Sequence, residues 1–571
     1  MVDDKNHDFE AAVTAFRRND IRSAKDAIDS VLNSTHATAE AHLLSGLIEF
    51  QLGNSSLGKK RARRALDLDE TLTKGYFNLG VMHEQTSEPD AAEECYRKAL
   101  KLDSENFGSL INLANLLQNQ GNYPEALHLL ERALDAEPDR AVGFVAHSNA
   151  LRISGQYKEA KEALERALDL EPDSIEALNN LSALCEEVND LAASRQFAQR
   201  SLEVLEDQPA AELLLARCDR REGKNEAALA RLRSLALDQL TIAFQRDAQF
   251  EIATVSDALG HFDEAFAAMC KSNALSSAID QERLALGLSL ADEVAGLMEW
   301  AQSLPHSLEQ TANRVHDGHD DPIFIVGFPR SGTTLLGQIM DAHPTLVMAE
   351  ERDYFDSVRK QITNAGYRYP QDTFVLPDDL IRKLRSFYFD KFNSEFPLAR
   401  GQRAVHKFPL DMLHMGLISR LFPNAHVLLA VRHPLDVVLS CFMQRFRLNR
   451  FMRSFLTLDG TVDAYREAFR LWDAYTQRLD FDYRVVRYEE LVSDFDATVS
   501  NLLSWSGLEW SDTVREFSEK AKKRGRIHTP SYSQVSKPIY QSSVQRWRNY
   551  ETYLSSYGES LEKWIDAFDY S

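Results

Sequence analysis

The sequence predicts an α-solenoid followed by an α/β domain built on a central parallel sheet. Two observations carry this reading. From about residue 6 to residue 277 the chain repeats itself every 34 residues, and from Pro322 onward short apolar runs alternate with helical patterns. A third observation separates the halves: the stretch TANRVHDGHDD is polar and contains a glycine. The expected organisation is a repeat array over 1–277, a helical linker over 278–319 and the α/β domain over 320–571.

In the first half Ala65, Ala99, Ala133 and Ala167 are spaced by 34, and each is followed by leucine. Gly121 and Gly155, Tyr123 and Tyr157, Ala126 and Ala160, and Pro138 and Pro172 keep the same register. The period is that of tetratricopeptide helix pairs. The small residues fall where two helices of a pair touch, glycine ends the first helix, and proline stops the second. Later copies are degraded. Asn189 takes the glycine place, Ser194 and Ser201 take alanine places, and the last copy, at Gly260 and Glu264–Ala265, is shifted by three residues. About eight pairs are expected. Such a solenoid presents a concave surface, which holds an extended peptide or protein partner. The other use open to it is to stiffen the chain or to join copies into a homo-oligomer.

The linker has helical apolar spacing over Leu284–Leu304. His316 and His319 lie beside aspartates in a loop too polar to suggest a metal site, and no metal is expected. The five cysteines are odd in number, widely spaced and without a CxxC pair, so they read as small buried hydrophobes rather than disulfides. A formal charge of −22 disfavours general nucleic-acid binding. The beginning MVDDKNHDFE is unlike a secretory leader, and no run of 18 apolar residues occurs. A cytoplasmic protein without a transmembrane segment is the expectation.

The second half is organised around PIFIVGFPRSGTTLL, residues 322–336. Ile323–Val326 reads as a buried strand, Gly327–Gly332 as a sharp turn, and Thr333 as the opening of a helix. Free amides and the positive dipole end at such a helix start favour a phosphate-like group. The glycine spacing is that of a nucleotide-binding P-loop, yet Thr333 stands where that motif needs lysine. Arg330 supplies the charge one turn earlier. The stretch therefore reads as a P-loop-like phosphate cradle that is not an ATPase site. The other expected strands are Ala404–His406, His426–Val431 and Tyr483–Arg487. Parallel sheets bind ligands beyond the carboxyl ends of their strands, and Arg330, Lys407, Arg432 and Tyr488 all fall there.

GFPRSGTT, followed by DAHP and then Glu350–Glu351, resembles the 5′-phosphosulfate loop of sulfotransferases that use 3′-phosphoadenosine 5′-phosphosulfate (PAPS). Within that superfamily the arrangement is most similar to the tyrosylprotein sulfotransferases and to bacterial proteins that join tetratricopeptide repeats to a sulfotransferase domain. The resemblance implies that Arg330 and the amides of Ser331, Gly332, Thr333 and Thr334 hold the 5′-phosphosulfate. AHVLLAVRHPLDVVLS is similar to the family's 3′-phosphate motif, with Arg432 and Ser440 in the binding places; their spacing of eight brings the hydroxyl to the side of the strand end. Glu351 falls at the place of the general base. A base is needed because a phenol has a pKa of about 10 and must lose its proton as it bonds to sulfur. Glu350 reads as an acceptor for backbone amides, and a carboxylate pair in a helix-capping turn is the structural alternative to a base at Glu351. Lys407 matches the lysine on the bridging oxygen, where negative charge develops. In SYSQVSKPIYQSSVQRWRNY, Ser531 takes the place of a serine on the leaving group and Arg546 that of a basic residue on phosphate. Tyr488, in RYEELV, matches an aromatic residue at the nucleotide. Where the family carries a further arginine this chain has Gln444, with Arg445 beside it.

Two basic stretches, Arg445–Arg447–Arg450–Arg453 and Lys520–Lys522–Lys523–Arg524–Arg526, stand out on so acidic a chain. They suit either an acidic acceptor or a solvated face. The resemblance thus implies sulfuryl transfer from PAPS to an acceptor hydroxyl, a tyrosine of a peptide or protein engaged by the array. Small phenols, glycans or lipids are alternative acceptors, and an interaction scaffold with an inactive transferase domain is the rival of another class.

Overall fold

The computed structural model describes residues 2–33, 37–279, 290–305, 317–446, 448–523 and 543–571. The chain divides into two compact units, Met1–Leu235 and Ala236–Ser571.

In the first unit seven helix pairs follow one another, from Val2–Arg17 with Ile21–Leu32 to Pro209–Arg221 with Asn225–Ser234. After the first helix of each pair the chain reverses through one left-handed residue. These residues are Asn19, Gly53, Ser87, Gly121, Gly155, Asn189 and Gly223, with φ between 58° and 87°, at intervals of 34. Glycine enters this region without steric cost and asparagine tolerates it, which explains why Asn189 can replace glycine. Ala65, Ala99, Ala133 and Ala167 are completely buried, and so are Ser194 and Ser201 in the alanine places. The Ser194 hydroxyl stays satisfied, bonded to Ser182 Oγ at 3.1 Å and accepting from the Cys218 thiol at 3.3 Å. A larger side chain at these positions would force the two helices of a pair apart.

The second unit opens with the eighth pair, Ile242–Ala258 and Phe262–Ile279. The array was expected to run to residue 277, whereas contacts group this last pair with the sheet. Within the expected linker the helix is Leu290–Ser303; residues 280–289 lie outside the described ones. It is a core element rather than a spacer. Val294, Leu297, Trp300, Ala301 and Leu304 are buried, and Trp300 stacks on Phe374 with ring centroids 5.8 Å apart.

Among the described residues five parallel strands form the sheet in the order β2-β3-β1-β4-β5: β1 is Ile323–Gly327, β2 Leu346–Glu350, β3 Arg403–Lys407, β4 His426–Val431 and β5 Asp482–Arg487. Four were expected. The fifth, β2, is an edge strand. Side chains alternate between two cores, Phe324 and Val326 on one face, Ile323 and Ile325 on the other. Register pairs Glu350 with Lys407, Lys407 with Ile325, Gly327 with Ala430, and Val431 with Arg487, so the carboxyl ends of the strands share one edge of the sheet.

Four cysteines are buried as expected, but Cys270 is exposed. No helix among the described residues is long and apolar enough to cross a membrane.

Candidate active site

The turn expected to cradle a phosphate is shaped by two close backbone approaches. Gly327 ends β1 at φ 148°, and a Cβ there would lie 2.4 Å from the Ala430 carbonyl oxygen of β4. Gly332, at φ 99°, is the N-cap of the helix Thr333–Ala342, and a Cβ there would meet the Tyr488 ring at 2.8 Å. Only glycine fits either place. Between them Ser331 donates from Oγ to the Phe328 carbonyl at 2.7 Å, and the buried Cys441 thiol reaches the Pro329 carbonyl at 3.3 Å. Arg330 is held at φ 69°. A non-glycine residue in that region costs roughly 1–3 kcal/mol and persists only where its surroundings impose it.

Arg330 Nε donates to Ser440 Oγ at 3.0 Å across 110 positions of sequence. The expected 5′ and 3′ phosphate elements are thus one hydrogen-bonded group. Ser440 lies on the helix Pro434–Phe442, which follows β4 after Arg432 and the N-cap His433. Arg432 is buried, its guanidinium 5.3 Å from the Tyr488 ring centroid and 3.6 Å from Asp436 Oδ2. One amino group donates to the Ser543 carbonyl. Its Nε is buried without a partner among the described residues, a donor that an anion would satisfy.

Beside β1, Lys407 ends β3 with no exposed surface. Its Nζ lies 2.9 Å from Glu351 Oε1 and 3.1 Å from Glu350 Oε1, and only the Glu351 contact has hydrogen-bond geometry. Glu350 also accepts from Gln338 Nε2 at 3.4 Å, so the amide-accepting role expected of it gives way to side-chain partners. Glu351 does not sit in a helix-capping turn: it follows β2, at φ 50°, and donates its amide to the Lys407 carbonyl at 2.8 Å. The DAHP segment explains the placement. Asp341 accepts from the Met348 amide at 3.2 Å, and His343 Nε2 meets the Glu509 carbonyl at 2.9 Å, which together shape the entry into β2.

The next residue is fixed from below by His406. Its Nε2 donates to the Arg352 carbonyl at 2.8 Å, leaving Nδ1 to accept from the Tyr388 hydroxyl at 3.2 Å. Burial holds this imidazole neutral, its pKa pushed down to about 4. His406 was not singled out from the sequence, where an alternating Val-His-Lys strand end shows only its period.

Asp436, four residues from both Arg432 and Ser440, is a second residue missed. Its two carboxylate oxygens accept the amides of Gln545 and Trp547, each at 2.8 Å. Burial raises its pKa, and Arg432 and these amides oppose the rise. Trp547 lies over His433 with centroids 5.2 Å apart. The 543–550 segment is thus tied to the helix that carries Ser440. Arg546 itself pairs with Asp257 Oδ2 at 2.8 Å. Ser531 lies outside the described residues. Of the basic stretches, Arg445 pairs with Asp247 at 3.0 Å and Lys520 with Asp341 at 3.2 Å, while Arg447 and 524–526 lie outside the described residues.

Residues 322–512 match the sulfotransferase family, and residues 85–146 and 151–218 match the tetratricopeptide repeat. An uncharacterized protein of Aquifex aeolicus (strain VF5) is 29% identical over 273 residues, covering 45% of this chain and 34% of its own length. Protein-tyrosine sulfotransferase 2 of Gallus gallus is 27% identical over 242 residues, covering 39% of this chain and 62% of its own. The chain therefore spans about a third of the first relative and under two thirds of the second. A solved structure of Pseudomonas aeruginosa pilF, 26% identical with a TM-score of 0.32, covers 34% of this chain and 90% of its own.

Proposed function

For a chain whose residues 322–512 belong to the sulfotransferase family and whose first half carries tetratricopeptide repeats, we propose that it transfers a sulfuryl group from PAPS to the hydroxyl of a tyrosine in a peptide or protein held by the array. The observation that supports the donor is the hydrogen bond from Arg330 to Ser440, which joins the two expected phosphate elements across 110 residues. The Nε of Arg432, without a partner among the described residues, adds a donor for the 3′-phosphate. The tyrosine acceptor is supported by the name of the Gallus gallus relative.

In this reading the amides of Ser331–Thr334 and Arg330 bind the 5′-phosphosulfate. Arg432 and Ser440 bind the 3′-phosphate, and Tyr488 packs at the nucleotide. Glu351 accepts the proton of the acceptor hydroxyl as its oxygen bonds to sulfur and the bond from sulfur to the phosphate oxygen breaks. Lys407, 2.9 Å from Glu351, stands where it can take up the charge that develops on the departing oxygen, so it stabilises the transition state more than the ground state. Ser531 assists the leaving group and Arg546 completes the phosphate contacts. Cationic side chains and amides carry the charge that a metal carries in P-loop kinases. A cytoplasmic location goes with the proposal.

The test is Glu351→Gln. PAPS turnover with a tyrosine peptide should fall about 10²–10⁴-fold, the usual worth of a positioned base, while adenosine 3′,5′-bisphosphate binds as to the unaltered chain. Retained turnover, or loss of binding in step with turnover, overturns the assignment.

A further inference from the structure

The eighth helix pair touches the donor site from two directions. Asp257, in the last turn of the helix Ile242–Ala258, accepts from the Tyr550 hydroxyl at 2.6 Å through Oδ1 and pairs with Arg546 at 2.8 Å through Oδ2. A carboxylate at that end of a helix faces the negative pole of the dipole, so it is stabilised there by an external cation. Arg546 is that cation. Its neighbours Gln545 and Trp547 donate their amides to Asp436, and Gln545 is held at φ 57°. The segment therefore lies between two aspartates, one on the eighth pair and one on the helix bearing Ser440. The second helix of the pair reaches that same helix: Asn273 Nδ2 donates to the Phe442 carbonyl at 3.2 Å, and Phe266 packs against Phe442 with centroids 5.3 Å apart. Phe266 also stacks on Tyr553 at 3.8 Å, and Tyr553 donates to Asp263 at 2.8 Å.

We propose that the eighth helix pair is a working part of the nucleotide site, Asp257 being a positioning residue that fixes Arg546 and Tyr550 and so holds the 543–550 segment against the helix carrying Asp436 and Ser440. The inference deepens the donor-site reading and rests on it for its effect on nucleotide, but not for its effect on the segment. A helix pair whose sequence keeps the repeat pattern thus supports the donor site. Its Asp257 reaches residues 289 and 293 positions onward in the chain.

The experiment uses the full chain with Asp257→Asn and, as the conservative variant, Asp257→Glu. Hydrogen exchange at the Gln545 and Trp547 amides is measured beside calorimetric titration with adenosine 3′,5′-bisphosphate and the KM for PAPS. Asp257→Asn should speed exchange at both amides and weaken nucleotide affinity about tenfold, as loss of one charged hydrogen bond does. KM for PAPS should rise by a like factor with a smaller change in kcat, and Asp257→Glu should recover part of each effect. Unchanged exchange and affinity in a folded Asp257→Asn chain, with only the thermal midpoint lowered, would overturn the proposal. Should the unaltered chain bind no nucleotide, the donor reading fails and the exchange arm alone decides: faster exchange supports the positioning role, unchanged exchange refutes it.

Discussion

Lys407 is the residue whose removal has the most calculable consequence. It is fully buried with two carboxylates at 2.9 and 3.1 Å, and Lys407→Met keeps its length while deleting the charge. Breaking a fully buried ion pair costs about 3–5 kcal/mol, because the partner is left charged in a poor solvent. Here the partners keep some water, with side-chain exposures of 12% for Glu350 and 30% for Glu351, so the expected loss is about 2–4 kcal/mol. All six tryptophans, from Trp300 to Trp564, lie in the second unit. Urea unfolding followed by tryptophan fluorescence therefore reports on that unit alone. Adding Glu350→Gln to Lys407→Met removes one of the two stranded charges and should recover a substantial part of the loss. A loss below about 0.5 kcal/mol, the range of an ordinary surface change, or a double variant no more stable than the single one, would refute the reasoning.

Gly327→Ala places a methyl group 2.4 Å from the Ala430 carbonyl in a backbone conformation that L residues avoid, so it should destabilise the second unit by more than about 2 kcal/mol in the same assay; a near-neutral effect would show that the β1–β4 approach is looser than described. A pH series tests His406. Its imidazole titrates near 4 when folded and near 6.5 when unfolded, so the unfolded chain takes up the extra proton between those values and stability falls as pH falls through that window. From pH 7 to pH 5 the stability advantage of the unaltered chain over His406→Gln should shrink by about 2 kcal/mol. Asp411, whose pKa burial raises, lies 3.7 Å from His406 Nε2, so the comparison is made in an Asp411→Asn background that removes its slope from both chains. A constant or growing difference contradicts the neutral-histidine assignment.

What could be read from the sequence was local. A left-handed residue every 34 positions, a glycine at each backbone contact, and an arginine at a strand end are all set by neighbours in the chain, and Gly121, Gly332 and Arg432 were legible for that reason. What escaped depends on partners far away. The strand Leu346–Glu350 is five residues long and lies at the sheet edge, where one neighbouring strand and the Asp341 carboxylate define it. Asp436 looks like any acid in the first turn of a helix, and its work for amides 109 and 111 residues onward has no local mark. The eighth pair carried one local hint, its three-residue shift in register, but the side chains that bind it to the sheet unit are Tyr550, Tyr553 and Arg546.

The donor site is tested most directly by titrating adenosine 3′,5′-bisphosphate into the full chain by calorimetry, beside ADP and without added metal. Arg432 and Ser440 should make the 3′-phosphate count, so the bisphosphate should bind at least about tenfold more tightly than ADP. Equal affinities, or no binding of the bisphosphate by the folded chain, would contradict the account.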